Sequence, residues 1–205
     1  MQERILEQLA RAGLPVSAAQ AGSLGEFLAL LERWNTVYNL TAITDPDEMI
    51  QRHLVESLAL RTYLKGASIA DVGSGAGLPG VPLAVAEPER RFTLIESRSK
   101  RVRFLRHVRG TLSLKNVEIE HCRAEDLTHL PPFDTVLARA VAALPELLSV
   151  TEHLMAKDSV LLALTGSNGD DERLARERGF EARRVGGPIA KLLRGSLVIA
   201  QRTRI

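Results

Sequence analysis

The chain has 205 residues, 45 % hydrophobic and 25 % charged, which suits one globular domain with a substantial core. Its one cysteine, Cys122, excludes an intramolecular disulfide framework and a cysteine-rich zinc site, so no metal is expected. No apolar run approaches the ~18 residues of a membrane span, and the start Met1-Gln2-Glu3-Arg4 lacks a secretion-signal pattern. A cytoplasmic monomer with no membrane partner is expected, and a net charge of +2 leaves the choice of partner to the distribution of charge.

Residues 3–12 carry Ile5, Leu6 and Leu9 at helical spacing and stop at Gly13. Ser17 and Gln20 form a capping-box pattern that opens a second helix. Along it Leu24, Phe27, Leu28, Leu31, Trp34 and Tyr38 make one apolar stripe, most simply core for the N-terminal helices. Asp45-Pro46-Asp47-Glu48 starts a third helix, on which Met49, His53 and Ser57 share a face. Residues 1–64 therefore read as a helical appendage on a core of residues 65–205, the two forming one domain.

From Ser68 strands and helices alternate. Strands are predicted at 68–72, 91–95, 116–120, 134–138, 159–164, 180–185 and 196–201, and helices near 79–86, 98–110, 144–155 and 169–178. This alternation implies an α/β fold with a mostly parallel sheet covered on both faces. Only Gly186-Gly187-Pro188 and a short turn separate the last two strands, too little for a helical crossover, so the final strand is expected to be antiparallel.

The first strand runs into Asp71-Val72-Gly73-Ser74-Gly75-Ala76-Gly77-Leu78-Pro79-Gly80. Glycines at 73, 75, 77 and 80 let a ligand approach the backbone, and Pro79 suits a first helical turn whose N–H groups attract negative charge. Gly75, Gly77 and Gly80 satisfy the dinucleotide fingerprint, with Glu96 near the place of a ribose-binding acid, so NAD is one reading. A carboxylate at Asp71 aimed at the mouth would repel a pyrophosphate and favour a cation such as S-adenosyl-L-methionine. Acid-x-Gly-x-Gly-x-Gly with an acid at the next strand end resembles the first motif of the Rossmann-like methyltransferases.

Ligands of open parallel sheets bind at the carboxyl ends of the strands. Glu96 there can accept from ribose hydroxyls or cap the next helix. Ala124 and Glu125, in Cys122-Arg123-Ala124-Glu125-Asp126, can meet an adenine edge or merely start a helix. Arg139 ends the fourth strand, where the Asn/Asp-Pro-Pro-aromatic motif of exocyclic-amine methyltransferases is absent. It can bind a phosphate or a guanine edge, or form a structural ion pair with Asp71 or Glu96. His53 is either a packing residue or a catalyst. Arg98, Lys100, Arg101, Arg103, Arg106, His107 and Arg109 fall in a stretch with no acid from Ser97 to Asn116. Such a stripe is either a nucleic-acid footprint, extended by Arg183, Arg184, Lys191 and Arg194, or a solvated helix face.

Taken together, Asn39-Leu40-Thr41-Ala42-Ile43, Arg52-His53-x-x-x-Ser57, the glycine turn ending Leu78-Pro79-Gly80, Lys100-Arg101-Val102-Arg103-Phe104-Leu105 and Arg139-Ala140 resemble the glucose-inhibited division protein B family. These are the bacterial small-subunit ribosomal RNA guanine-N7 methyltransferases. The resemblance implies a seven-stranded Rossmann-like fold and transfer of methyl from S-adenosylmethionine to ribosomal RNA or a ribosomal subunit. It also implies cofactor contacts at Gly73, Leu78, Ala124, Glu125 and Arg139. Two positions depart from the family pattern. Thr165 stands where Ala-Leu-Lys-Gly has lysine, and Arg194-Gly195-Ser196 stands where an Arg-His pair is common before the last strand.

Overall fold

The computed structural model describes residues 1–139, 143–166 and 171–203. Ala140 of the Arg139-Ala140 pair lies outside the described residues, as do residues 169–170 of the helix expected over 169–178. Seven described strands, β1 (Ser68–Val72), β2 (Arg91–Ile95), β3 (Val117–Glu120), β4 (Phe133–Arg139), β5 (Met155–Thr165), β6 (Phe180–Arg184) and β7 (Ser196–Arg202), form one sheet. Their order is β3-β2-β1-β4-β5-β7-β6. The first five pair in parallel, and β7 lies antiparallel between β5 and β6, as its short connection requires.

The N-terminal helices are α1 (Gln2–Arg11), α2 (Ala18–Tyr38), α3 (Pro46–Met49) and α4 (Glu56–Leu58), with a π-helical stretch at Ile50–Val55 joining the last two. Both sequence-read caps form: the Ser17 and Gln20 side chains bond each other's backbone N–H, and Asp45 accepts from Glu48 N–H at 2.9 Å. The crossover helices are α5 (Gly80–Ala86), α6 (Ser99–Thr111), α7 (Leu144–Thr151) and α8 (Asp171–Arg176). The sequence reading left only a turn between β6 and β7, where the chain makes α9 (Gly187–Leu192), with Pro188 in its first turn. Six residues of helix fit there without disturbing the antiparallel pairing.

Alternation along each strand sends residues to opposite faces. Ile69, Leu94 and Leu137 join a cluster with Phe27, Leu31, Ile50, Leu54 and Phe104, so the N-terminal helices share a core with one face of the sheet. Ala70, Val72, Val136 and Ala138 face the other way, onto Leu147, Leu148 and Phe180. The same parity turns Asp71 and Arg139 toward the N-terminal helices.

Candidate functional site

Strand order reverses between β1 and β4, so a crevice is expected outside their carboxyl ends. The glycine turn lies there, and its glycines divide into two kinds. Gly73 (φ +68°) is exposed and Gly75 (φ +56°) half-buried, so their backbones face the crevice. Gly77 (φ +80°) is buried, and a Cβ on it would meet Val81 Cγ2 at 2.7 Å and Leu105 Cδ2 at 3.1 Å. A Cβ on Gly80 would meet Leu94 Cδ2 at 2.4 Å. Gly77 and Gly80 thus let the turn pack on α6 and β2. Leu78, read as a cofactor contact, is buried in the same packing. Pro79 precedes α5 rather than opening it, and α5 is buried throughout, so no anion-attracting helix end is presented.

Asp71 does not stand at the mouth as the sequence suggested. Its carboxyl is 1 % exposed, with Oδ2 accepting from Gly80 N–H at 3.0 Å. Oδ1 is buried without a partner. Burial pushes this carboxyl up to about 7, against the pull of the Gly80 N–H, the Ser74 hydroxyl and the Arg139 charge. Glu96 is buried too, but satisfied: Oε2 accepts from Gly75 N–H at 3.0 Å and Oε1 from Arg98 N–H at 2.8 Å. Arg101 Nη1 stands 3.5 Å from Oε2. Glu96 therefore clasps the glycine turn to the start of α6, with lone pairs left for hydroxyl donors. Arg101, expected on the RNA face, is engaged at the cofactor turn instead.

Beside Gly73 and Glu96 opens a cavity of about 230 Å³, closed on its far side by Cys122, Ala124, Glu125 and Glu146. Ala124 is buried and Glu125 exposed, in a short 3-10 turn at Ala124–Asp126. Glu146 on α7 carries no motif that could have marked it in the sequence.

On the other side of the crevice Arg139 meets neither Asp71 nor Glu96. Its Nη2 donates to Glu56 Oε2 at 3.1 Å. Glu56 Oε1 accepts from Arg52, one helical turn earlier, and from the backbone N–H of Arg194 at 3.0 Å. One buried carboxylate thus joins the N-terminal helices, β4 and the approach to β7. Arg139 Nη1 remains buried with no partner. His53 lies in the π-helical stretch, 3 % exposed, with Nε2 at 3.2 Å from Thr41 Oγ1. Burial first, then the Arg139 charge, pushes its pKa down to about 4, so the ring is neutral at pH 7. Thr165, where the family has lysine, ends β5 with its hydroxyl buried and unpartnered. A Cβ on neighbouring Gly195 would come within 2.6 Å of the Thr165 carbonyl oxygen.

Lys100, Arg103, Arg106 and Arg109 are exposed on α6, and Arg98 is exposed at its N-cap. Arg183 and Arg184 do not extend that stripe: they lie on β6, at the opposite edge of the sheet from β3. Arg194 is likewise elsewhere, its side chain 3.7 Å from Glu48.

The profile of the ribosomal RNA small subunit methyltransferase G family matches residues 20–187. The chain belongs to this family. It is 41 % identical to the Enterobacter sp. (strain 638) ribosomal RNA small subunit methyltransferase G, over 89 % of this chain and 86 % of that one. Identity to the Yersinia pseudotuberculosis serotype O:3 protein of the same name is 43 %, over 84 % of each. Among solved structures, a methyltransferase from Geobacter sulfurreducens superposes with a TM-score of 0.60 at 15 % identity, covering 86 % of this chain and 90 % of that one. A SAM dependent methyltransferase from Aquifex aeolicus gives 0.55 at 18 %, covering 76 % and 92 %.

As a member of this family the chain is a methyltransferase that uses S-adenosylmethionine. The crevice suits that cofactor. The acid Glu96 lies beneath a backbone that a ligand can approach at Gly73, and Asp71, about half ionised at pH 7, adds part of a negative charge behind it. A pyrophosphate would meet the wrong sign of charge there. Among the described residues no helix is long and apolar enough to cross a membrane.

Proposed function

We propose that the chain, working as one domain and as a monomer in the cytoplasm, methylates N7 of a guanine in small-subunit ribosomal RNA. Bound S-adenosylmethionine supplies an electrophilic methyl carbon on a sulfonium. Gly73 and Gly75 offer their backbone to it, while Gly77 and Leu78 hold the turn in shape. Glu96 accepts from the ribose hydroxyls, and Ala124 and Glu125 border the adenine. Asp71 holds the turn through the Gly80 N–H, and a cationic ligand above it would favour the ionised form of its carboxyl.

The observation that carries the guanine-N7 reading is Arg139, held by Glu56 with Nη1 unpartnered, and a neutral His53 within its charge field. Guanine N7 already has an in-plane lone pair, so no residue has to remove a proton. With its pKa near 4, His53 is a poor proton acceptor at neutral pH, which suits such a reaction. Its proposed part is to hold Thr41 and the wall beside Arg139. Arg139, fixed by Glu56 through Nη2, keeps Nη1 free for guanine O6 or a neighbouring phosphate. Transfer then comes mainly from holding N7 and the methyl carbon in line. Arg98, Lys100, Arg103 and Arg106 grip the RNA backbone, with Arg101 bridging to the cofactor turn through Glu96. Exposed large hydrophobics among the described residues are limited to Met1 and Val37, little for a subunit interface to bury.

Labelled S-adenosylmethionine offered with naked small-subunit RNA and, separately, with assembled subunits tests this reading. Borohydride followed by aniline removes N7-methylguanine and cleaves the RNA there, so one new strand break with release of the labelled base is expected. Absence of transfer to either substrate would make the protein an RNA-binding module on a methyltransferase fold. Binding of NAD but not S-adenosylhomocysteine would point to an oxidoreductase.

A further inference from the structure

Between α2 and α6 three aromatic rings climb from the core to the surface. Phe104 is fully buried, and its ring centroid lies 5.6 Å from that of Trp34. Trp34 in turn stacks on Tyr38, one helical turn on, at 5.2 Å and 29°. His107, exposed on α6, flanks Trp34 at 5.4 Å. Both Trp34 and Tyr38 are half-buried, and Val37 beside them is 69 % exposed. A core needs none of the last three groups at the surface. Trp34 stacks on Tyr38, and Lys100 Nζ also sits 5.9 Å from the Tyr38 centroid, a flexible cation on the outermost ring.

We infer that this ladder is a stacking platform for an unpaired nucleotide of the RNA, with Tyr38 the ring on which the base lies. The inference rests on the RNA reading above and adds a contact independent of phosphate. Three observations favour RNA as the occupant. Around the ladder α6 exposes Lys100, Arg103 and Arg106, and no acid occurs from Ser97 to Asn116, which matches a polyanion. Aromatic rings among such cations are the mark of single-stranded binding, where each base has a face to stack. The platform also adjoins the reaction side. Tyr38 ends α2, and three residues later Thr41 is tied to Asn35 Oδ1 at 2.8 Å through its N–H and to His53 at 3.2 Å through its hydroxyl. The stacked base is accordingly assigned to a nucleotide near the target guanine and not to the guanine itself.

Trp34 is the chain's only tryptophan, so its emission reports on the ladder in the unmodified protein. Titration of the full chain with small-subunit RNA should quench that emission. Tyr38→Leu, which keeps an apolar side chain but removes the ring, should weaken RNA binding about tenfold. The slope of log K against log salt should not change, because no phosphate contact is lost. Tyr38→Phe should bind like the wild type, and S-adenosylhomocysteine should bind all three alike. Tyr38→Leu binding within twofold of wild type, while the wild type methylates RNA normally, would overturn the platform and leave the enzyme reading standing. A flattened salt slope in Tyr38→Leu would also overturn it, since the ring would then act by placing Lys100. Quenching by polyglutamate but not by RNA would give the surface to an acidic protein. Wild-type protein that binds S-adenosylhomocysteine but no RNA would remove both readings together.

Discussion

The two sides of the crevice are built in different ways. The cofactor turn is local: its glycines, Asp71 and Ser74 lie within ten consecutive residues, and Glu96 alone is brought from the next strand end. The reaction side is assembled from afar. Arg139 is 83 residues from Glu56, and the Arg194 N–H that shares the same carboxylate is 138 residues away. The first side is shaped by backbone geometry and the second by buried charge. Damage to them should therefore be felt differently, the turn in packing and cofactor affinity, the charged cluster in stability and transfer.

The largest effect should come from Glu56→Ala. It leaves the largely buried Arg52 and Arg139 without their ion-pair partner, a change that costs up to about 3–5 kcal/mol where both charges are fully buried. Chemical unfolding should show that loss, and Glu56→Gln, which retains an acceptor, should show less. A Glu56→Ala protein as stable as the wild type would mean the cluster is not a structural unit. Next, Gly77→Ala should cost about 2–4 kcal/mol, from a strained positive φ and a clash with Val81. Gly73→Ala, at a similar φ but exposed, should cost about 1–2 kcal/mol and weaken S-adenosylhomocysteine binding more than folding. Equal unfolding losses in the two variants would erase the division of labour within the turn.

A smaller signature lies in the pH dependence of the cofactor-free protein. Asp71 titrates near 7 when folded, against 3.8 when exposed, so the folded state holds the extra proton between those values. Its contribution to stability falls as pH rises through that window. His53 does the opposite. Its pKa is about 4 folded and 6.5 exposed, so the unfolded state takes the proton first and stability is lost as pH falls from 6.5 toward 4. The two slopes oppose each other in the wild type. Asp71→Asn should therefore lose stability on acidification more steeply than wild type, and His53→Gln less steeply, in urea unfolding from pH 7.5 to about 4.5. Parallel curves for all three proteins would contradict the burial of both groups.

The smallest effect concerns salt. If Arg103 and Arg106 hold phosphates, their joint replacement by alanine should flatten the log K against log salt slope by about 0.7–0.9 for each contact. Arg101→Ala should instead weaken cofactor binding, through Glu96, more than it changes that slope.

What could be read from the sequence follows the same division. The strands, the two N-terminal caps and the glycine turn rest on neighbours in the chain, and the structure has them close to where the residues put them, except that β5 starts at Met155 instead of 159 and cuts short the helix expected over 144–155. Strand parity alone puts Asp71 on the face of Ile69 and Arg139 on the face of Leu137, but which helices cover that face is set by the tertiary packing. The partner of Arg139 could not be read, because Glu56 and Arg194 look like an ordinary helical acid and a loop cation until the strand order joins them. Charge counting failed for a related reason. Arg183 and Arg184 are basic like the α6 stripe, yet they stand on β6 at the far edge of the sheet. Arg101 belongs to the stripe in sequence but turns inward to Glu96, since a helix presents successive residues on different sides.

The separation of cofactor binding from methyl transfer is tested most directly by Arg139→Ala, in single-turnover transfer to small-subunit RNA beside titration with S-adenosylhomocysteine. Transfer should fall by about 100-fold or more, the scale of losing one oriented charge at a reacting centre, with cofactor affinity changed no more than about threefold. Arg139→Lys should recover little, because an ammonium cannot hold Glu56 through one nitrogen and a base or phosphate through another. Loss of cofactor affinity in step with the loss of transfer would contradict the account, making Arg139 part of the cofactor side rather than its counterpart.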